Sequence, residues 1–303
     1  MSRYLRLPDL RLPGSLFLIA LLCALFVPSR AAQTLKGKNG KRLQVGLQLY
    51  SVRADCAKDL PGVLKTVSKM GYTGVEFAGY HGRTAAELRQ MLHDNKLQCY
   101  GTHVDLNALQ GDNLEKTMTF CQALGCKLVI VPWLPVERRN SKQTVVETAH
   151  LFNDVAQKMA ARGLRLGWHN EDYEFKPIEG TASGGSGGET IWDAFTANTD
   201  NSVALQFDTG NALSAGVQAA PFLLKYPARF VSVHVKDHSA TNPNALLGEG
   251  DEHWNEVIPI LKNKTATQWF IIEQESYGEP PLVCVEKCLR NFEKLWNSPD
   301  GHL

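Results

Sequence analysis

The 303-residue chain carries no block of like charge: 32 lysines and arginines offset 31 aspartates and glutamates, leaving a formal net charge of +1. A nucleic-acid partner, which a basic stripe would serve, is therefore not expected. The N-terminal apolar run, Ser15 to Val27, falls short of the roughly 18 residues that a spanning helix requires. No internal repeat is evident. The glycine-rich stretch from Ser183 to Gly188 lacks the lysine and the strand–turn–helix setting of a phosphate-binding loop, and reads as a plain loop. Seven cysteines are present, but not at the spacing of a small disulfide framework. Buried free thiols are expected instead. Cys284 and Cys288 share a helix face, and Cys121 and Cys126 bracket a helix end.

Three arginines, Arg3, Arg6 and Arg11, precede the apolar run, and Pro28, Ser29, Arg30, Ala31 and Ala32 follow it. This is the pattern of a secretory signal over residues 1–32, or of an N-terminal anchor if it is not cleaved. The expected location is outside the cytoplasm, periplasmic or secreted, with membrane contact only in the uncleaved case. Residues 33–42 read as a polar leader, 43–297 as one domain and 298–303 as a tail.

From Leu43 onward, short apolar runs alternate with helical patterns. Strands are expected at 43–49, 74–77, 98–103, 127–133, 164–169, 203–208, 230–234 and 269–273. Between them fall helices over 60–70, 84–95, 114–124, 142–162, 191–196, 219–225 and 252–261, with a last one over 282–296. Thr84 and Glu87 have the spacing of a capping box, and Gly71, Gly125 and Gly163 stand where C-caps belong. Eight strand–helix units within about 260 residues predict an α/β fold, a closed (β/α)8 TIM barrel.

The polar residues at strand C-termini are Glu76, His103, His169, Asp208, His234 and Glu273. Barrel enzymes build their sites at that end. Asp208, His234 and Glu273 each close an apolar run, and on neighbouring parallel strands they would converge. Carboxylate and imidazole together suit a divalent metal.

These motifs resemble the xylose isomerase-like TIM barrel superfamily, the sugar phosphate isomerase/epimerase family. The resemblance covers Leu43 to Trp296. It rests on Gly46-Leu47-Gln48-Leu49-Tyr50-Ser51-Val52-Arg53, Gly74-Val75-Glu76-Phe77, Gly101-Thr102-His103, Trp168-His169-Asn170-Glu171-Asp172, Phe207-Asp208-Thr209-Gly210-Asn211, His234-Val235-Lys236-Asp237, Leu247-Gly248-Glu249-Gly250 and Ile272-Glu273-Gln274. It implies one divalent ion (Mn, Co, Mg or Zn) held by a strand-five residue and by Asp208, His234 and Glu273. The strand-five ligand is His169 or Glu171. The subgroup motif His-Asn-His-Asp reads His-Asn-Glu-Asp here, so Glu171 departs from the pattern.

The implied activity is isomerisation or epimerisation of a keto-sugar or related polyol. A proton α to a carbonyl is removed and a metal-stabilised enediolate forms. Glu273 is one acid/base, and Glu171, His103 or Lys236 is the second. Elimination or dehydration of a keto-sugar, keto-glycoside or keto-cyclitol is the alternative, and a non-catalytic sugar-binding barrel a third reading. Glu76, Trp133, Asn211 and Glu249 are expected to meet the small-molecule sugar, with orientation of His103 as the alternative role of Glu76. A homodimer is compatible with the family.

Overall fold

In the computed structural model, the described residues are 35–37, 40–179 and 188–299. Eight parallel strands close a barrel in chain order: β1 (Gln44–Gln48), β2 (Gly74–Ala78), β3 (Gln98–His103), β4 (Leu128–Val131), β5 (Arg165–His169), β6 (Ala204–Asp208), β7 (Phe230–Val235) and β8 (Trp269–Ile272). β1 pairs with β8 to complete the ring. The strands are covered on both faces, which is why β4 and β6 are buried along their whole length. Leu128, Ile130, Ala204 and Val231 pack together in a separate small cluster with Trp269 beside it, and the larger apolar core lies between strands and helices.

The connecting helices are α1 (Arg53–Met70), α2 (Ala85–Asp94), α3 (Gly111–Leu124), α4 (Lys142–Ala161), α5 (Ile191–Ala197), α6 (Thr209–Ser214), α7 (Ala219–Lys225), α8 (Trp254–Asn263) and α9 (Pro281–Asn297). The Thr84 capping box forms, with Thr84 N donating to Glu87 Oε2 at 2.8 Å. The expected helix start at Leu60 marks a kink inside α1. Asp59 there is extended (φ −153°), and its Oδ1 accepts from Gly62 N at 3.0 Å, so it caps the second half of the helix. The sequence reading had no counterpart of α6. That helix is short and begins on Asp208, whose Oδ1 accepts from Asn211 N at 2.7 Å.

The leader expected over 33–42 is revised in its described part. Leu35 is buried, Leu43 N donates to its carbonyl at 2.7 Å, and Trp296 Nε1 donates to Lys36 O at 3.1 Å. An apolar side chain and two hydrogen bonds tie this segment to α9 and to the start of β1. The signal expected at 1–32 and the Ser183–Gly187 run lie outside the described residues, as do residues 300–303 of the tail. Among the described residues no helix is long and apolar enough to cross a membrane. Six cysteines are described as free thiols, five of them buried.

Candidate active site

Strand register brings the ligands together. Asp208 of β6 lies directly across from His234 of β7. Val235 pairs with Ile272, which puts Glu273 one residue past the end of β8. His169 ends β5 beside β6. One ligand atom from each of His169, Asp208, His234 and Glu273 falls within 4.8 Å of the others, and all four residues are buried. His169 Nε2 is 3.5 Å from Asp208 Oδ2, and His234 Nδ1 is 3.5 Å from that oxygen and 3.1 Å from Glu273 Oε2.

The donor set fits a divalent ion. His169 Nε2 and Asp208 Oδ2 are buried with no hydrogen-bond partner. Orphaned atoms of this kind are costly unless something meets them. The other ring nitrogen of His169, Nδ1, is 3.2 Å from Pro132 O and donates to it, which leaves Nε2 as a lone pair aimed at Asp208. Burial lowers the basicity of His169 against the opposing hydrogen bond and charge of Asp208, and favours the neutral ligand form. His169, not Glu171, is the strand-five member of the group.

Beneath this group sits Glu76, fully buried on β2. Its Oε1 accepts from His234 Nε2 at 2.7 Å, His103 Nε2 at 2.9 Å and Gln48 Nε2 at 2.8 Å. Its Oε2 accepts from Gln206 Nε2 at 2.8 Å. Burial alone would raise this carboxyl, but His103 and His234 outweigh it and hold the group ionised. A carboxylate behind a metal-binding imidazole fixes its orientation. Room for Glu76 comes from Gly101, where an added Cβ would lie 2.4 Å from Oε2. The expectation that Glu76 meets substrate is not met, because it does not line the cavity. Its orienting role extends to His234 as well as His103.

Above the ligands opens a cavity of about 370 Å³, lined by Tyr50, His103, Trp133, His169, Glu171, Asn211, Glu273 and Glu275, among others. Trp133 is 47% exposed there, whereas Trp168 is fully buried among Trp192 and Phe195. Glu171 Oε2 accepts from Asn211 Nδ2 at 3.2 Å. Burial, then the negative charge of Asp208, pushes the Glu171 carboxyl up to about 7, against the opposing pull of Lys236. Lys236 Nζ bonds Asn211 Oδ1 at 2.9 Å, pairs with Glu275, and lies 3.5 Å from Glu273 Oε2 and 3.7 Å from Asp208 Oδ2. Burial works against its charge, but Asp208, Glu273 and Glu275 keep it firmly cationic.

Both His103 nitrogens face protein partners, Nε2 toward Glu76 and Gln206 (3.0 Å) and Nδ1 toward Gln48 at 3.4 Å. Glu249 is exposed, accepts from Leu246 N at 3.2 Å and lies off the cavity.

Sequence reasoning missed four participants. Gln48 and Gln206 hold Glu76 in place. Asn170 ties the ends of β5 and β6 through Asp208 N (2.8 Å) and Asp208 O (3.1 Å). Glu275 pairs with Lys236. Gln206 stands two residues before Asp208, on the same strand face, and that alternation was the available signal.

Comparison with known proteins gives a consistent picture. Residues 64–292 match the family described as xylose isomerase-like TIM barrel. An inosose dehydratase from Clostridium botulinum is 27% identical over 246 residues, which cover 70% of this chain and 81% of the relative. A sugar phosphate isomerase/epimerase structure from Parabacteroides distasonis aligns with a TM-score of 0.72 at 22% identity, covering 89% of this chain and 96% of that one. A D-allulose 3-epimerase structure from Methylomonas sp. aligns with a TM-score of 0.62 at 14% identity, covering 84% and 98%.

Proposed function

The chain belongs to the xylose isomerase-like TIM barrel family, as a sugar-modifying enzyme, and on that premise we propose that it is a metal-dependent lyase that eliminates water or an alcohol from a keto-sugar. The observation that carries this reading is the pair of carboxyl groups lining one cavity around the ligand group, Glu171 and Glu273. Their surroundings drive them apart. Burial opposes the charge of Glu273, but Lys236 and His234 win and lower its pKa, while Glu171 is raised to about 7. Two carboxyls separated in this way are suited to work as base and acid.

A divalent ion held by His169, Asp208, His234 and Glu273 supplies a Lewis acid for the substrate carbonyl. Glu273 removes the proton from the carbon α to that carbonyl. The freed electron pair becomes a carbon–carbon double bond as the bond from the β carbon to oxygen breaks. Glu171 gives its proton to the departing oxygen, which leaves as water or an alcohol. The Lys236 ammonium, fixed by Asn211 and Glu275, offsets negative charge that builds up nearby. The relative named inosose dehydratase supports loss of water as the reaction type.

Epimerisation, which the sequence reading ranks first, is the second reading. The same two carboxyls favour it if Glu171 returns a proton to carbon and no C–O bond breaks. Metal-loaded protein incubated with keto-sugars in heavy water separates the two. Elimination gives the ultraviolet absorbance of a conjugated enone, whereas epimerisation gives deuterium at carbon with the sugar intact. Glu171→Gln is expected to keep its metal and lose about 100-fold or more in kcat, the usual worth of a general acid. Full activity in that variant would remove Glu171 from the chemistry.

A further inference from the structure

Beside the main cavity lies a second one of about 190 Å³, between α6 and the segments that follow β7 and β8. Asn211 and Glu275 line both cavities. Lys236 stands at the junction, paired with Glu275 and bonded to Asn211 Oδ1 at 2.9 Å. Its side chain passes there because residue 210 is glycine: a Cβ at Gly210 would sit 2.6 Å from Lys236 Cγ. Glu171, one hydrogen bond away through Asn211, adjoins the same junction.

The lining of this annex points to a chemical class. Ser214, Ser239 and Ser276 line it with hydroxyls that already bond Asn211 O, Thr241 and Pro243 O and keep acceptor lone pairs, while among the described residues no protein partner takes the His238 imidazole or the Asn242 side-chain NH2. No arginine lines either cavity. The one lysine is already matched by Glu275, Glu273 and Asp208. A phosphate here would find its one lysine already matched and would meet the carboxylates of Glu275 and Asp237, which line the annex. Hydroxyl groups, which both donate and accept, suit serines, an amide and a half-exposed carboxylate together.

Resting on the lyase reading above, we propose that the annex is a second subsite, holding a neutral hydroxylated ring joined to the keto-sugar. The substrate is then an unphosphorylated two-ring glycoside. The second sugar is the alcohol that departs, next to the acid that protonates it.

The test uses non-reacting ligands on the metal-loaded protein: glucose, glucose 6-phosphate and a panel of glucose–glucose disaccharides, followed by calorimetry. At least one disaccharide is expected to bind about tenfold more tightly than glucose, a difference of about 1.4 kcal/mol, and the phosphate no more tightly. Ser214→Trp fills the annex from the exposed face of α6. It should erase the disaccharide advantage and leave glucose binding within about twofold. Ser276→Leu, in the segment after β8 that also lines the annex, should do the same, and it provides an independent check if the first variant misfolds.

Equal binding of one and two rings, tighter binding of the phosphate, or equal weakening of both sugars in the two variants would overturn the annex. A disaccharide advantage without turnover of any keto-sugar upholds the annex and fails the lyase reading alone.

Discussion

His234 answers to both halves of the site, with Nδ1 toward Asp208 and Glu273 and Nε2 toward Glu76. Burial would lower its basicity, but Glu76 and Glu273 together raise it well above an ordinary imidazole. That favours the doubly protonated ring, with which a divalent ion held at Nδ1 would compete. Metal affinity should fall by about tenfold per pH unit on acidification, as release of one proton requires. Titration calorimetry at pH 6 and pH 8 checks this, and equal affinities would contradict it.

Glu252 makes a separate case at the same scale. It is buried, one of its oxygens has no partner, and burial followed by the charge of Asp237 raises it to about 7. Because the folded chain binds its proton more tightly than the unfolded one, its contribution is full below about pH 4.5. It is lost as pH rises through about 7. Glu252→Gln should flatten that slope, by at most about 3 kcal/mol, in denaturation measured at pH 4.5 and pH 8. Residue identities such as Asp208, His234 and Glu273 were legible because each closes an apolar run. The direction of Glu76 was not legible, since facing inward or upward depends on barrel stagger that one strand's sequence does not contain.

Strands and helices were the most legible level. β3 matches its expected bounds, and most others differ by a residue or two at the ends. The miss was α6, six residues long and too short for a periodic pattern. Its cap, Asp208, also offers Oδ2 to the ligand group, so one carboxylate both starts a helix and faces the ion site. Within β3, Gly101 makes space for Glu76, and the neighbouring contact to Ile130 Cδ1 would be 3.1 Å from an added Cβ. Gly101→Ala should therefore cost about 1–3 kcal/mol of stability by overpacking. It should also weaken metal binding by about tenfold or more, because Glu76 no longer holds His234. Denaturant titration and metal titration of the same variant check both parts. Unchanged metal binding would detach Glu76 from the site.

At the scale of the molecule, the closed ring followed from the count of alternating units, whereas the wall between the two cavities came from loops whose course no periodicity encodes. Metal should stabilise the whole barrel, since its ligands are assembled only in the folded state. At a free-ion concentration about 100 times the Kd, the gain is about 2.7 kcal/mol. Thermal unfolding with and without a chelator reads this as a rise in Tm, and no shift would mean that the four residues do not bind the ion. The ligands come from consecutive strands, β5 to β8, while the carboxylate that steadies His234 comes from β2. A chain circularly permuted between β4 and β5 would keep the ligand order intact. A fragment holding β5 to β8 alone would carry every donor and leave one imidazole unanchored. Ion uptake would then act as a complementation signal, switched on when two separately made halves meet.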